Sequence, residues 1–212
     1  MAISKVQNAV YIYEVDASVT ASFLSTPTEG NLMIALGAGS TVVTGNASIS
    51  GWTLATSTYA DKCGLWYKVA GAAESTDVTL NWTGSTSTHL VIEEWTGLSS
   101  TPLDKVANYY VAGPVTSRTS GTTDTTTVAD ELCIAGFKVG NTVSAESWSN
   151  SFVLEYRDSP TPTFLLGSRI VASTGTYETT LSWTTARYAG GLIATFKAAV
   201  TSTWIPKVIM VL

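Results

Sequence analysis

Asn31-Leu32-Met33-Ile34-Ala35 and Glu131-Leu132-Cys133-Ile134-Ala135 decide the fold, because the same short apolar run returns 100 residues later. The first run follows a turn signal, Thr28-Glu29-Gly30. A run this short between turn residues reads as a buried strand, since a helix needs about 10–12 residues or more. The echo continues along the chain. Val69-Ala70 matches Val171-Ala172 at an offset of 102, and Thr79-Leu80-Asn81-Trp82-Thr83 matches Thr180-Leu181-Ser182-Trp183-Thr184 at an offset of 101. After each Trp-Thr comes a small-polar stretch that reads as a loop, then another apolar strand, 90–95 and 192–196. These matches predict an all-β, antiparallel β-sandwich or jelly-roll-like fold with an internal pseudo-repeat of about 100 residues. The expected module spans 1–199, with halves of about 1–100 and 101–199. Two related strand sets packed face to face in one sandwich are favoured over two tandem sandwiches, because no linker separates the halves.

Working outward from the repeat, period-two alternation predicts further strands over 10–15, 19–23, 52–56, 63–70, 77–82, 106–111, 122–127, 152–156, 164–171 and 177–183. Gly51, Gly71, Gly84, Gly97, Gly113-Pro114, Gly140-Asn141, Gly175 and Gly190 punctuate them. No segment keeps an apolar period of 3.6 residues. Charged residues make up 13% of the chain and hydrophobic ones 45%, a balance that favours strands over solvated helices. The formal net charge is −5, and the 11 Lys and Arg residues are scattered singly. Phosphate neutralisation needs clustered cations, so nucleic acid is not an expected partner. No signal peptide and no membrane-length apolar run is read, so no membrane partner is expected. Cys63 and Cys133 lie in apolar strand-like runs and read as buried free thiols. A disulfide is the alternative and would need an oxidising compartment.

Common chemistry finds little support. His89 is the sole histidine, placed at the start of an apolar strand, and reads as a surface or loop-edge residue. Nucleophilic catalysis would have to use it as base. One His and two distant Cys give no zinc spacing, and no Asp-x-Asp-x-Asp-Gly loop suggests calcium. Glu93 and Glu94 are adjacent on a strand, so their side chains point to opposite faces and cannot form a facing acid pair. Gly37-Ala38-Gly39-Ser40 is a fragment of a dinucleotide pattern with no helix after it. The expectation is a non-enzyme with no catalytic residue, metal or cofactor.

Aromatic residues are the enriched feature, with 7 Trp and 9 Tyr. Trp82, Trp95 and Trp183 fall within the repeat and read as core. Tyr59, Tyr109, Tyr110 and Trp148 lie nearer loops and are candidates for packing or a subunit interface, or else for ligand contact, a host surface glycan included. Residues 200–212 form an apolar C-terminal tail after the module. Trp204, Ile205, Pro206, Val208, Ile209, Met210, Val211 and Leu212 are its candidate anchoring residues. An apolar β-prone end must be covered, either by its own sandwich or by a neighbour. Both options are open at this stage.

The order of motifs resembles a β-sandwich module of tailed-bacteriophage virion structural proteins, seen also in bacterial extracellular proteins. The motifs are Thr28-Glu29-Gly30-Asn31-Leu32, Gly51-Trp52-Thr53-Leu54, Trp66-Tyr67-Lys68-Val69-Ala70, Glu94-Trp95-Thr96-Gly97-Leu98 and Pro102-Leu103-Asp104. Ala129-Asp130-Glu131-Leu132 and Ala194-Thr195-Phe196-Lys197-Ala198-Ala199 close the series. The resemblance covers about residues 3–199. It implies a non-catalytic module located on a virion assembled in the host cytoplasm, and it carries no ligand residues. A capsid decoration or cement protein is the first expectation. Such a protein would be a homo-oligomer, expected as a trimer, with the major capsid protein as its partner. A tail or baseplate component is the second expectation, and a carbohydrate-binding adhesion module is the third.

Overall fold

A computed structural model describes residues 2–39, 47–58, 62–158 and 163–200, and for 11–15 and 83–87 it describes the backbone alone. Tyr59 and the anchoring candidates Trp204 to Leu212 lie outside the described residues. The first half contributes β1 (Ser4–Ser22), β2 (Leu32–Gly39), β3 (Ser48–Ile49), β4 (Thr53–Thr58), β5 (Cys63–Val69) and β6 (Asp77–Thr96). The second contributes β7 (Leu98–Tyr110), β8 (Val115–Thr119), β9 (Asp130–Val139), β10 (Ser147–Trp148), β11 (Val153–Arg157), β12 (Phe164–Ala172), β13 (Thr180–Arg187) and β14 (Ala189–Ala198). Every pairing is antiparallel.

The repeat is visible in the strand order. The first half orders its inner sheet β1-β6-β2-β5-β4, and the second orders its own β7-β14-β9-β12-β11. Matching by the repeat turns the first order into the second. The outer sheets match as well. β3, the early part of β6 and the late part of β1 lie side by side, as β10, β13 and β8 do in the second half. The protein is therefore all-β, with two antiparallel sandwich-like halves. In the first half β1 and β6 each run through both layers, with a register shift between Asp16 and Ser18 where they pass from one to the other. In the second half the same path is interrupted at Gly113-Pro114 and at Tyr188.

Three apolar layers follow from this arrangement. Leu32, Ile34 and Leu36 of β2 and Val91 and Trp95 of β6 meet Leu132 and Ile134 of β9, Phe164 and Leu166 of β12 and Phe196 of β14. That central layer joins the two inner sheets. The opposite faces of the same strands supply the other two cores. Met33, Ala35 and Trp66 pack under Val19, Leu80 and Trp82 in the first half. Cys133, Ala135 and Phe137 pack under Leu181 and Trp183 in the second. Strands buried on both faces carry continuous apolar runs, which is why 32–36 and 132–135 stand out in the sequence. Cys63 and Cys133 are both buried and free, and burial pushes each thiol up to about 12.

Three expectations change. The small-polar stretch after Trp82 is strand rather than loop, since Thr86, Ser87 and Thr88 pair with Asp16, Val15 and Glu14 across the ladder to β1. Residues 122–127 are not a strand. They run beside the chain at 175–177 through single bonds, from Thr123 N–H to Tyr177 O and from Thr126 N–H to Gly175 O. His89 is not on the surface. It is 5% exposed because its register sets it opposite Ala38 in the inner sheet, with its ring 5.6 Å from that of Phe164.

Candidate functional site

The motif residues that carry the virion resemblance are spent on holding turns. Glu94 is fully buried and accepts from Thr28 N–H at 2.8 Å, from Asn31 Nδ2 at 2.6 Å and from the Gln7 amide. In the second half Asp104 accepts from Thr127 N–H at 2.6 Å and from the Thr127 hydroxyl at 2.8 Å. Thr127 stands before β9 as Thr28 stands before β2. The carboxylate has moved from the β6 position to the β7 edge, and its job is the same. Those bonds, with Lys105 beside it, hold Asp104 below the usual aspartate range against the opposing effect of burial. Glu131 beside it is pushed up to about 7, chiefly by burial. Lys68 of the aromatic-Lys motif closes the next turn through Glu74, at 2.6 Å.

A polar cluster joins the halves at one end of the central layer. His89 Nδ1 stands 3.6 Å from Asp158 Oδ2, and Lys138 Nζ donates to Thr163 Oγ1 at 3.3 Å. Asp158 also accepts the N–H groups of Thr163 and Phe164. Burial first, then Lys138, pushes the imidazole down to about 4, so it is neutral at neutral pH. All three groups are buried, which makes the cluster an internal polar contact across the halves rather than a surface site.

The two lateral seams between the inner sheets are the exposed candidates. Each seam brings an edge strand of one half against an edge strand of the other. At the first, β4 meets β7. Thr58 Oγ1 donates to Tyr109 O and Asn108 Nδ2 donates to Thr56 Oγ1, both at 3.3 Å. Tyr109 and Tyr110 end this edge, 43% and 38% exposed, with Val106, Val111 and Tyr188 also exposed. The Arg118 guanidinium lies 5.6 Å from the Tyr109 ring centre. Tyr109 and Tyr110 are thus both exposed at the end of β7, with their side chains turned to opposite faces as strand neighbours are. Trp148 is elsewhere, packed between Phe137 and Phe152 with its Nε1 buried, so the sequence candidates divide into an edge pair and a core residue.

At the second seam β1 meets β11, and a cleft of about 440 Å³ opens between them. Ile3, Lys5, Trp95, Val153, Glu155 and Ile170 are among its lining residues. Lys5 Nζ bonds Glu155 and stands 3.6 Å from Glu93 Oε1. Glu93 is 1% exposed, and its other oxygen accepts from Trp95 Nε1 at 2.8 Å. Burial dominates and pushes the Glu93 carboxyl up to about 7. Burial works against the Lys5 ammonium, but Glu155 and Glu93 outweigh it and hold it above its ordinary value. The Glu93 side chain faces this cluster while Glu94 faces the turn at Thr28, so the two point apart as their adjacency requires. Glu93 and Glu155 bring two carboxyls into one place, as acid–base hydrolysis requires, but Lys5 occupies the space between them. The cluster is wired as an ionic clasp between halves. Sequence reading missed it because its members stand far apart in the chain. The available signal was Glu93 itself, a carboxyl between the apolar run Leu90-Val91-Ile92 and Trp95 on the same strand.

Among the described residues no group of three or more His, Cys, Asp or Glu is placed to hold a metal ion. The fold and the two seams define a class: an all-β protein of antiparallel sheets packed as two sandwich-like halves. Comparison with protein-family models, with curated proteins and with solved structures finds no match for the chain.

Proposed function

We propose that this protein is a bacteriophage virion structural component, first of all a capsid decoration protein that stabilises the particle by bridging capsid subunits. The observation that carries the reading is the ordered set of virion-module motifs, whose polar residues, Glu94, Asp104 and Lys68, serve turns instead of a ligand. A module built this way keeps its rim available for contact. The Tyr109–Tyr110 edge and the apolar segment 200–212 supply contact chemistry. Aromatic residues and Arg are the types enriched in interface cores. Each added copy stabilises the shell by mass action, provided its contacts reach the roughly 1,200–2,000 Å² of a specific interface. Homo-oligomerisation, as a trimer, would let one unit straddle several capsid subunits.

The test is labelling of gradient-purified particles with antibody to the protein, together with binding of a chain lacking residues 200–212. Label on the capsid is the expected result, with occupancy by the shortened chain reduced at least tenfold. Label on the tail would move the protein to the second reading, a tail or baseplate component. Particles free of label would overturn both.

The exposed Tyr109 ring, backed by the Arg118 guanidinium, favours one further reading, adhesion to a host glycan, because sugar faces stack on such rings. Saturable quenching of intrinsic fluorescence by host polysaccharide, lost in a Tyr109→Ala variant, would support it over the structural one.

A further inference from the structure

We infer that the β1–β11 cleft is the docking site of this chain's own C-terminal segment, residues 204–212. The described chain ends beside it. Ala199 donates its N–H to Gly97 O at 2.9 Å. A β-carbon on Gly97 would lie 2.4 Å from Ala2 O, so the start of the chain passes directly against the same point. Ile3, the next residue, is part of the cleft wall. The sequence continues for twelve residues beyond Val200, which span at most about 40 Å when extended.

The chemistry of cleft and segment is complementary. Val153 and Ile170 on the rim are 63% and 52% exposed, which is unusual for an aliphatic pair bordering a cavity. Lys5 pairs with Glu155 and the buried Glu93 within the wall, and the guanidinium of Arg169, also on the wall, lies 5.8 Å from the Tyr177 ring centre. The segment Ile205-Pro206-Lys207-Val208-Ile209 places one cation between apolar residues. Its apolar residues answer the aliphatic rim. Burying such side chains favours contact by about 25 cal/mol per Å² of apolar surface. A segment tethered this close acts at an effective concentration near millimolar, so its own cleft outcompetes that of a second copy in dilute solution. The inference does not rest on the virion reading, and capsid contact by the same segment would require it to leave the cleft.

The experiment uses the full-length chain. Val153→Cys is combined with Ile205→Cys or Ile209→Cys, and mild oxidation is followed by mass and gel mobility. Cys63 and Cys133 are buried, with thiols pushed up to about 12, and stay out of the reaction. The expected product is a cross-link within one chain. A second cavity of about 280 Å³ lies across the exit, lined by Val128, Ala129, Asp130 and Val200. A cross-link formed from Ala129→Cys in place of Val153→Cys overturns the inference, as does a product that joins two chains. A readout without cysteines is trypsin cleavage after Lys207, which is expected to be about tenfold faster in a Val153→Glu, Ile170→Glu variant that keeps its near-ultraviolet circular dichroism. Equal cleavage rates overturn the inference. Both readouts are made on the free protein, so their failure is separate from any failure to bind particles.

Discussion

The two halves share a strand order but fill their sandwiches from opposite sides. Beside Trp82 and Trp183, which both outer sheets keep, the first half draws a further indole from the inner sheet: Trp66 on β5 packs over Gly37 and Gly64. In the second half Gly167 stands at the place of Trp66, and the indole comes from β10 of the outer sheet, where Trp148 packs over Gly167. Ile49 is the residue of β3 that corresponds to Trp148. Phe137 and Leu165 occupy the places of Gly37 and Gly64. Side-chain size is redistributed at four linked positions: the first half sets Trp66 and Ile49 beside two glycines, the second sets Trp148, Phe137 and Leu165 beside one. At the joint between halves side-chain size differs within a single pair. Leu36 and Gly136 correspond by the repeat, and a β-carbon on Gly136 would fall 2.5 Å from Leu36 Cδ1. What the repeat retains is strand order and pairing rather than the size of the residue at each place.

The largest expected effect tests the source of the indole. Trp66→Ala should lower stability by about 3–5 kcal/mol, because two glycines beside it leave nothing to collapse into the cavity. Trp148→Ala should cost clearly less, since Trp148 is only half-buried and Phe137 and Phe152 adjoin it. Equal losses in denaturant unfolding would break the comparison. Next comes the joint. Gly136→Ala should destabilise by about 1–3 kcal/mol through overpacking. Combined with Leu36→Ala, the loss should fall short of the sum of the two single losses, and strict additivity would mean that the two residues do not share space.

The smallest effect concerns the clasp at the open seam. Burial raises the Glu93 carboxyl from 4.5 to about 7, so between those values the folded protein holds a proton that the unfolded chain has released. Stability therefore falls as pH rises through that window and is level outside it. Glu93→Gln should match the parent within about 1 kcal/mol at pH 5. It should then gain on the parent as pH approaches 8. A shared slope would show that Glu93 is ionised throughout.

The repeat was legible where strands are buried on both faces, because 32–36 and 132–135 then carry unbroken apolar runs. It was not legible at the exchanged positions, where Trp66 aligns with a glycine and Trp148 with an isoleucine. Ser85 to Thr88 was misread because small polar residues suit both loops and ladders, and only the partner Glu14–Asp16 decides between them. The ionic cleft needed residues from β1, β6 and β11 to meet, which no local pattern records. Tyr109 and Tyr110 were found as surface aromatics, but the Arg118 partner depends on the β7–β8 turn.

Gly97 alone separates the halves, and its φ of 83° turns the chain from β6 into β7. Ala2 and Ala199 lie at that same glycine. The beginning of the fold, its midpoint and the end of its last strand therefore coincide in space. In topological terms the sandwich pair is a closed loop of two equivalent arcs, opened at one of two interchangeable points. A circular permutant that begins at Leu98, with Ala199 joined to Ala2 by a short bridge, encodes the same sheets in the opposite order.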